Sequence, residues 1–315
     1  MSLPVGLASA SVVGVRLADA LHQRPVVLDG GLSNQLEAAG HDLGDTLWSA
    51  RLLADEPEAV EAAHRAYYEA GAEVAITASY QATYEGFARH GVDARRTAGL
   101  LRLSVELARR AGAGLGHEAW VAASAGPYGA MLADGSEYRG RYGLTVADLE
   151  RFHRPRLETL AAAGPDVLAL ETVPDTDEAR ALLRAVRGLG VPAWLSYGVA
   201  GGRTRAGQPL DEAFALAAEA DEVIAVGVNC CDPRDVEAAV AVARRVTGLP
   251  VVVYPNSGEA WDAGARAWRG PARFAPGMAA RWRAAGARLI GGCCRVGPAA
   301  IAGLAAELSP PHHAA

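Results

Sequence analysis

Four cysteines carry the most specific chemical demand in this chain, and they occur as two adjacent pairs, Cys230-Cys231 in GVNCC and Cys293-Cys294 in GGCCR. Each pair ends a short apolar run, so each reads as the tip of a buried strand. Thiolates about sixty residues apart in sequence, delivered to the ends of two parallel strands, can converge on one ion. Soft sulfur ligands in tetrahedral geometry suit zinc, and three of them leave a fourth position for a substrate. The competing readings are cross-paired disulfides and inert buried thiols. Adjacent cysteines bridge poorly, and a reducing compartment would not sustain the pairing.

Carboxylates and amides fall at similar places. Asp29 follows VVL, Glu171 follows VLAL, Asn229 precedes the first cysteine pair and Asn256 follows VVVYP. Asp29 and Glu171 could hold a cationic group such as an amino acid's ammonium, or could bind loop amides and helix ends. For Glu171 the better caps of the next helix are Thr172 and Asp175, whereas Asp29 precedes a tight Gly30-Gly31 turn that itself needs an acceptor. The eight histidines show no metal-binding spacing. Most are expected to be solvated, and His64 and His153 lie in helical segments, where an exposed or hydrogen-bonded histidine is expected. All 30 basic residues are arginine, which excludes Schiff-base aldolases, covalent pyridoxal phosphate enzymes and Walker-type phosphate loops.

These residues need a frame that brings strand ends together. Eight β-branched or apolar runs, near 26–31, 74–79, 120–126, 167–172, 193–198, 223–229, 251–258 and 288–294, alternate with Ala/Leu/Arg/Glu-rich helical segments. Among these, PEAVEAAHRAYYEAG closes on Gly71, and DVEAAVAVARRV repeats the periodicity. The expected fold is a single α/β domain, a (β/α)8 TIM barrel over residues 25–308, with an N-terminal extension (1–24) and a frayed tail (309–315). The Gly-rich excursion Tyr128 to Tyr142 after the third run is the expected active-site loop. A net charge of −6 with scattered arginines argues against nucleic acid or an anionic membrane as partner, and no apolar run approaches a membrane span. The N-terminal stretch lacks a basic region before its apolar residues, so a cytoplasmic protein is expected.

With these residues in place, the chain resembles the zinc-dependent homocysteine S-methyltransferase family, relatives of betaine-homocysteine methyltransferase and of the homocysteine module of cobalamin-dependent methionine synthase. The resemblance runs from about Pro25 to Glu307 and is carried by LDGGLSNQLE, TASYQAT, SAGPYGA, ALETVPD, GVNC, VVYPNSGEAWD and GGCCR. It implies zinc held by Cys230, Cys293 and Cys294, with Cys231 supernumerary because the family places its ligand directly after Asn. It also implies that Glu171 and the loop around Asp29 hold the amino acid part of homocysteine. The substrate-binding set is Asp29, Gly30, Gly31, Ser79, Tyr128, Glu171 and Asn229. The YPNSGE segment is similar to the branch that uses S-methylmethionine, which implies a compact monomer. The implied reaction is methyl transfer from a sulfonium to the zinc-held thiolate of homocysteine, giving methionine, with Tyr80, Tyr128 or Trp261 lining the sulfonium path by cation-π attraction. S-adenosylmethionine or betaine as donor, selenocysteine as acceptor, and a noncatalytic barrel with a structural zinc are the alternatives.

Overall fold

The computed structural model describes residues 15–44, 49–262 and 267–309. All eight apolar runs form strands: β1 (Val26–Val27), β2 (Val74–Ile76), β3 (Trp120–Ala125), β4 (Val167–Val173), β5 (Ala193–Ala200), β6 (Val223–Asn229), β7 (Val251–Tyr254) and β8 (Ala287–Ile290). Each pairs in parallel with its sequence neighbour, and β8 returns to pair with β1. The ring closes between β1 and β2 through the Leu28–Val74 bridge, where the Glu73 amide donates to Val27 O at 2.8 Å and the Asp29 amide to Val74 O at 3.0 Å. Helices follow the strands on the outside, as the alternating pattern requires.

A parallel strand inside such a ring is covered on both faces, and β3 and β4 are buried along their whole length. Alternate residues sort into two cores. Val26, Leu28, Trp120, Ala122, Ala169, Trp194, Ala225, Val252 and Leu289 fill the barrel, while their neighbours pack under the helices. The helix Leu17–Gln23 inserts Leu17, Ala20 and Leu21 into the inner cluster at the strand starts, and the Trp120 indole donates to Val15 O at 2.9 Å. The N-terminal extension is therefore, in its described part, a stopper for the barrel floor; residues 1–14 and the tail from Pro310 lie outside the described residues. Among the described residues no helix is long and apolar enough to cross a membrane.

The local signals behave as their chemistry predicts. Helix Pro57–Glu69 starts on its proline, and Gly71 follows its end at φ 97°. Asp175 caps helix Thr176–Val186 by accepting from the Asp177 and Glu178 amides, which leaves Glu171 free of that task.

One of the two helical histidines departs from expectation. His64 and His153 are both fully buried. His153 is satisfied, between Glu178 (2.9 Å) and Arg156 (2.7 Å). Neither ring nitrogen of His64 has a hydrogen-bond partner among the described residues, and burial lowers its pKa to about 4. A histidine that stays neutral when folded but takes a proton near 6.5 when unfolded supports the fold above that pH and loses this support as pH falls toward 4. Replacing His64 with Leu should therefore shift the stability difference between variant and wild type by about 2 kcal/mol in the variant's favour between pH 7 and pH 5. Urea denaturation at the two pH values measures this, and a pH-independent difference would contradict a buried neutral imidazole.

Candidate active site

Inward-facing positions become polar where the strands end. On β3 the register that points Trp120 and Ala122 into the barrel continues to Ser124, and the same alternation carries Glu171, Ser196, Asn229 and Tyr254 into one layer. These groups hold one another. Ser124 Oγ donates to Glu171 Oε1, Ser196 Oγ pairs with Asn229 Oδ1 (2.9 Å) and Tyr254 Oη (2.7 Å), and the Trp194 indole donates to Tyr254 Oη at 3.1 Å. Asn229 is fully committed: its Oδ1 accepts from the Thr172 amide at 2.8 Å and its amide donates to Thr172 Oγ1 at 2.7 Å. Thr172 sits at φ 59°, a left-handed conformation that costs a β-branched residue on the order of 1–3 kcal/mol. Asn229 thus holds the strained turn that positions Glu171.

The three predicted sulfurs meet above this layer. Cys230 Sγ lies 3.9 Å from Cys294 Sγ, Cys293 Sγ lies 3.9 Å from Cys294 Sγ, and all three fall within 4.8 Å of one another. Tetrahedral ligands about 2.3 Å from an ion lie about 3.8 Å apart, so the spacing fits a metal. Among the described residues no fourth Cys, His, Asp or Glu joins the group. Cys231 faces the apolar core behind the strand, where burial pushes its thiol well up. Backbone bonds around the end of β7 set this geometry. The Cys230 amide donates to Tyr254 O (3.2 Å), the Cys293 amide to Pro255 O (2.8 Å) and the Cys294 amide to Asn256 Oδ1 (3.1 Å).

Asp29 enters from the neighbouring turn. Its Oδ2 accepts from the Ile76 amide at 2.8 Å, whereas Oδ1 is shielded and has no partner among the described residues. Burial raises the Asp29 pKa well above the carboxylate range, with the nearby Glu171 adding to the rise and the Ile76 amide opposing it. Burial likewise raises Glu171 to about 7 against the bonds from Ser124 and Tyr254. Two desolvated carboxyls side by side, one with a free oxygen, suit a cation. Gly30 and Gly31 pack against the cysteine turn: a Cβ on Gly30 would lie 2.1 Å from Val296 O and one on Gly31 2.7 Å from Cys293 O. Tyr67 Oη bonds Gly31 O and Val296 O, both at 3.0 Å, tying the two turns together.

This three-sulfur, two-carboxyl bowl stands at the C-terminal ends of the strands. Residues 26–308 match the family model described as homocysteine S-methyltransferase. The chain belongs to the homocysteine S-methyltransferase family. This methyltransferase is 45% identical over 298 residues to the homocysteine S-methyltransferase of Escherichia coli K12, covering 90% of this chain and 94% of that protein. It is 46% identical to homocysteine S-methyltransferase 4 of Zea mays, covering 89% and 88%. The crystal structure of the E. coli homocysteine methyltransferase MmuM in its metallated form superposes with a TM-score of 0.79 at 44% identity, covering 90% of this chain and 96% of that one.

The other predicted residues of the methyltransferase lie as follows. Ser79 Oγ donates to Ser124 O at 2.8 Å and pairs with Thr77 Oγ1 at 2.7 Å, so it braces the strand carrying Ser124. Tyr128 packs its ring against Tyr142 (centroids 5.2 Å) and Phe152 (4.9 Å), in a groove of about 320 Å³ shared with Met131 and Leu144. No contact joins Tyr128 to the sulfurs among the described residues. Tyr80 reaches the Thr172 side chain near Cys230. The Trp261 side chain lies outside the described residues.

Sequence reasoning missed Tyr138, whose hydroxyl lies 3.3 Å from Cys230 Sγ, and Arg205, whose guanidinium donates to Cys230 O at 3.1 Å. Tyr138 falls inside the loop singled out from its glycines, but nothing in the loop's composition marked which side chain turns inward. Ser124 was legible in principle as a polar residue at an inward register position.

Cys293→Ser should abolish metal retention and activity together, as measured by elemental analysis and methionine formation. Cys231→Ser should keep the metal and cost about 1–3 kcal/mol of stability, because it buries a hydroxyl in the apolar core. Metal loss from the Cys231 variant would overturn the ligand assignment.

Proposed function

We propose that this enzyme methylates homocysteine from a sulfonium donor, S-methylmethionine first among them, at zinc held by Cys230, Cys293 and Cys294. The observation that carries the reading is the convergence of three sulfurs, with no fourth ligand among the described residues, near two buried carboxyls, Asp29 and Glu171. A closed structural site would need a fourth protein ligand, and Cys231 faces away. Zinc held by Cys230, Cys293 and Cys294 would favour the homocysteine sulfur as thiolate, and three thiolate ligands would leave that sulfur electron-rich.

The chain's own residues do the rest. Asp29 and Glu171 hold the ammonium of homocysteine, and the Gly30-Gly31 backbone lets its amino acid end approach the cysteine turn. The methyl carbon forms a bond to the homocysteine sulfur as its bond to the sulfonium breaks. The leaving sulfur keeps the electron pair and becomes a neutral thioether, and the thiol proton has already gone to solvent. Tyr80 and Tyr138 beside Cys230 present aromatic surface to the incoming cation and keep water from the thiolate. Holding nucleophile, methyl carbon and leaving sulfur in line accounts for much of the acceleration. Every role here is assigned within one chain, and the enzyme is taken to act as a monomer. The free thiols support a reducing, cytoplasmic setting.

Purified protein should contain one zinc per chain and form methionine from homocysteine with S-methylmethionine, in preference to betaine or S-adenosylmethionine supplied separately. Zinc content without turnover by any donor would refute the reading. Glu171→Ala should raise the homocysteine KM at least tenfold with zinc retained, since a charge-assisted bond to a buried ammonium is worth about 1.5–3 kcal/mol. An unchanged KM would remove Glu171 from the substrate site.

A further inference from the structure

Arg205 is placed by backbone rather than by a charge partner. It follows the short strand Arg203–Thr204, which pairs antiparallel with the end of β5, and its amide donates to Gly198 O at 3.1 Å. The next residue, Ala206, donates to Pro174 O at 3.0 Å, which ties the turn to the β4 loop as well. Its side chain is half-buried and held on two sides: one Nη donates to Cys230 O, and the guanidinium lies 5.2 Å from the centroid of the Tyr138 ring. Its Nε hydrogen is shielded from solvent and has no hydrogen-bond partner among the described residues. A shielded guanidinium donor without an acceptor costs about 1–3 kcal/mol, and a planar fork of this kind fits a carboxylate.

The carboxyls Asp29 and Glu171 sit deep, at the strand ends beside the cysteines. Arg205 lies on the loop after β5, stacked on the Tyr138 ring, whose hydroxyl lies 3.3 Å from Cys230 Sγ. A donor aligned with a sulfur held at the cysteines, across from Asp29 and Glu171, would come within reach of this side of Cys230.

We propose that Arg205 receives the carboxylate of the methyl donor and so selects sulfonium donors that are amino acids. The assignment rests on the proposed sulfonium reaction. In zinc-loaded protein, Arg205→Met should weaken S-methylmethionine binding, measured by titration calorimetry, at least tenfold. The homocysteine KM should stay within twofold and zinc content should not change. Arg205→Lys, which keeps the charge, should recover part of the affinity, and matching melting temperatures show that both variants fold. (3-Aminopropyl)dimethylsulfonium, which lacks only the carboxylate, should bind wild type at least tenfold more weakly than S-methylmethionine and bind Arg205→Met and wild type alike.

Undiminished S-methylmethionine binding by Arg205→Met would overturn the assignment. So would a loss confined to homocysteine KM or to zinc, since it would place Arg205 with the acceptor or with the thiolates. Wild type that binds S-methylmethionine through Arg205 yet transfers no methyl would refute the reaction and leave the carboxylate site standing.

Discussion

The site depends on the end of one short strand. β7 contributes four residues to the barrel and lies between the two strands that bear the cysteines. At its end, the carbonyls of Tyr254 and Pro255 and the side-chain oxygen of Asn256 accept from the backbone amides of Cys230, Cys293 and Cys294. The backbone of the three cysteines is thus set by these bonds and by barrel register. The strain of Cys230 at φ 49° is offset by the same splint.

Around this splint the structure concentrates groups that favour negative charge in a place with little water. Asp29 and Glu171 are buried, and burial is the main cause that raises both pKa values. The surrounding hydroxyls and the Asn229 amide are used mainly to hold one another and the Thr172 turn, so they fix shape. Preorganisation of this kind lowers stability where function needs it, and the apolar barrel below and the helix layer outside offset that cost.

Much of this was legible in the sequence. The eight runs stood out because strands buried on both faces are continuous apolar segments, and the polar residue ending each run marked the catalytic rim. Asp29, Glu171 and the cysteines all lie where that rule puts them. Tyr138 and Arg205 were not legible, since their position depends on loops from β3 and β5 folding over a cysteine on β6, a contact without local pattern. The burial of His64 was foreshadowed by its place among Val60, Ala63 and Tyr67 on one helix face. That of His153 follows from Glu178 on a neighbouring helix, which periodicity cannot reveal. Tyr128, quoted for its motif, packs its ring against Phe152 on a surrounding helix.

The stopper at the barrel floor constrains traffic. With Leu17, Ala20 and Leu21 packed among the strand starts and Trp120 tied to Val15, the described part of the N-terminal segment covers the end of the barrel opposite the cysteines. The proposed reactants would then enter at the C-terminal ends of the strands, where the cysteines lie. A reactant held at the buried Asp29 and Glu171 would on that reading bind first, and its product would leave last.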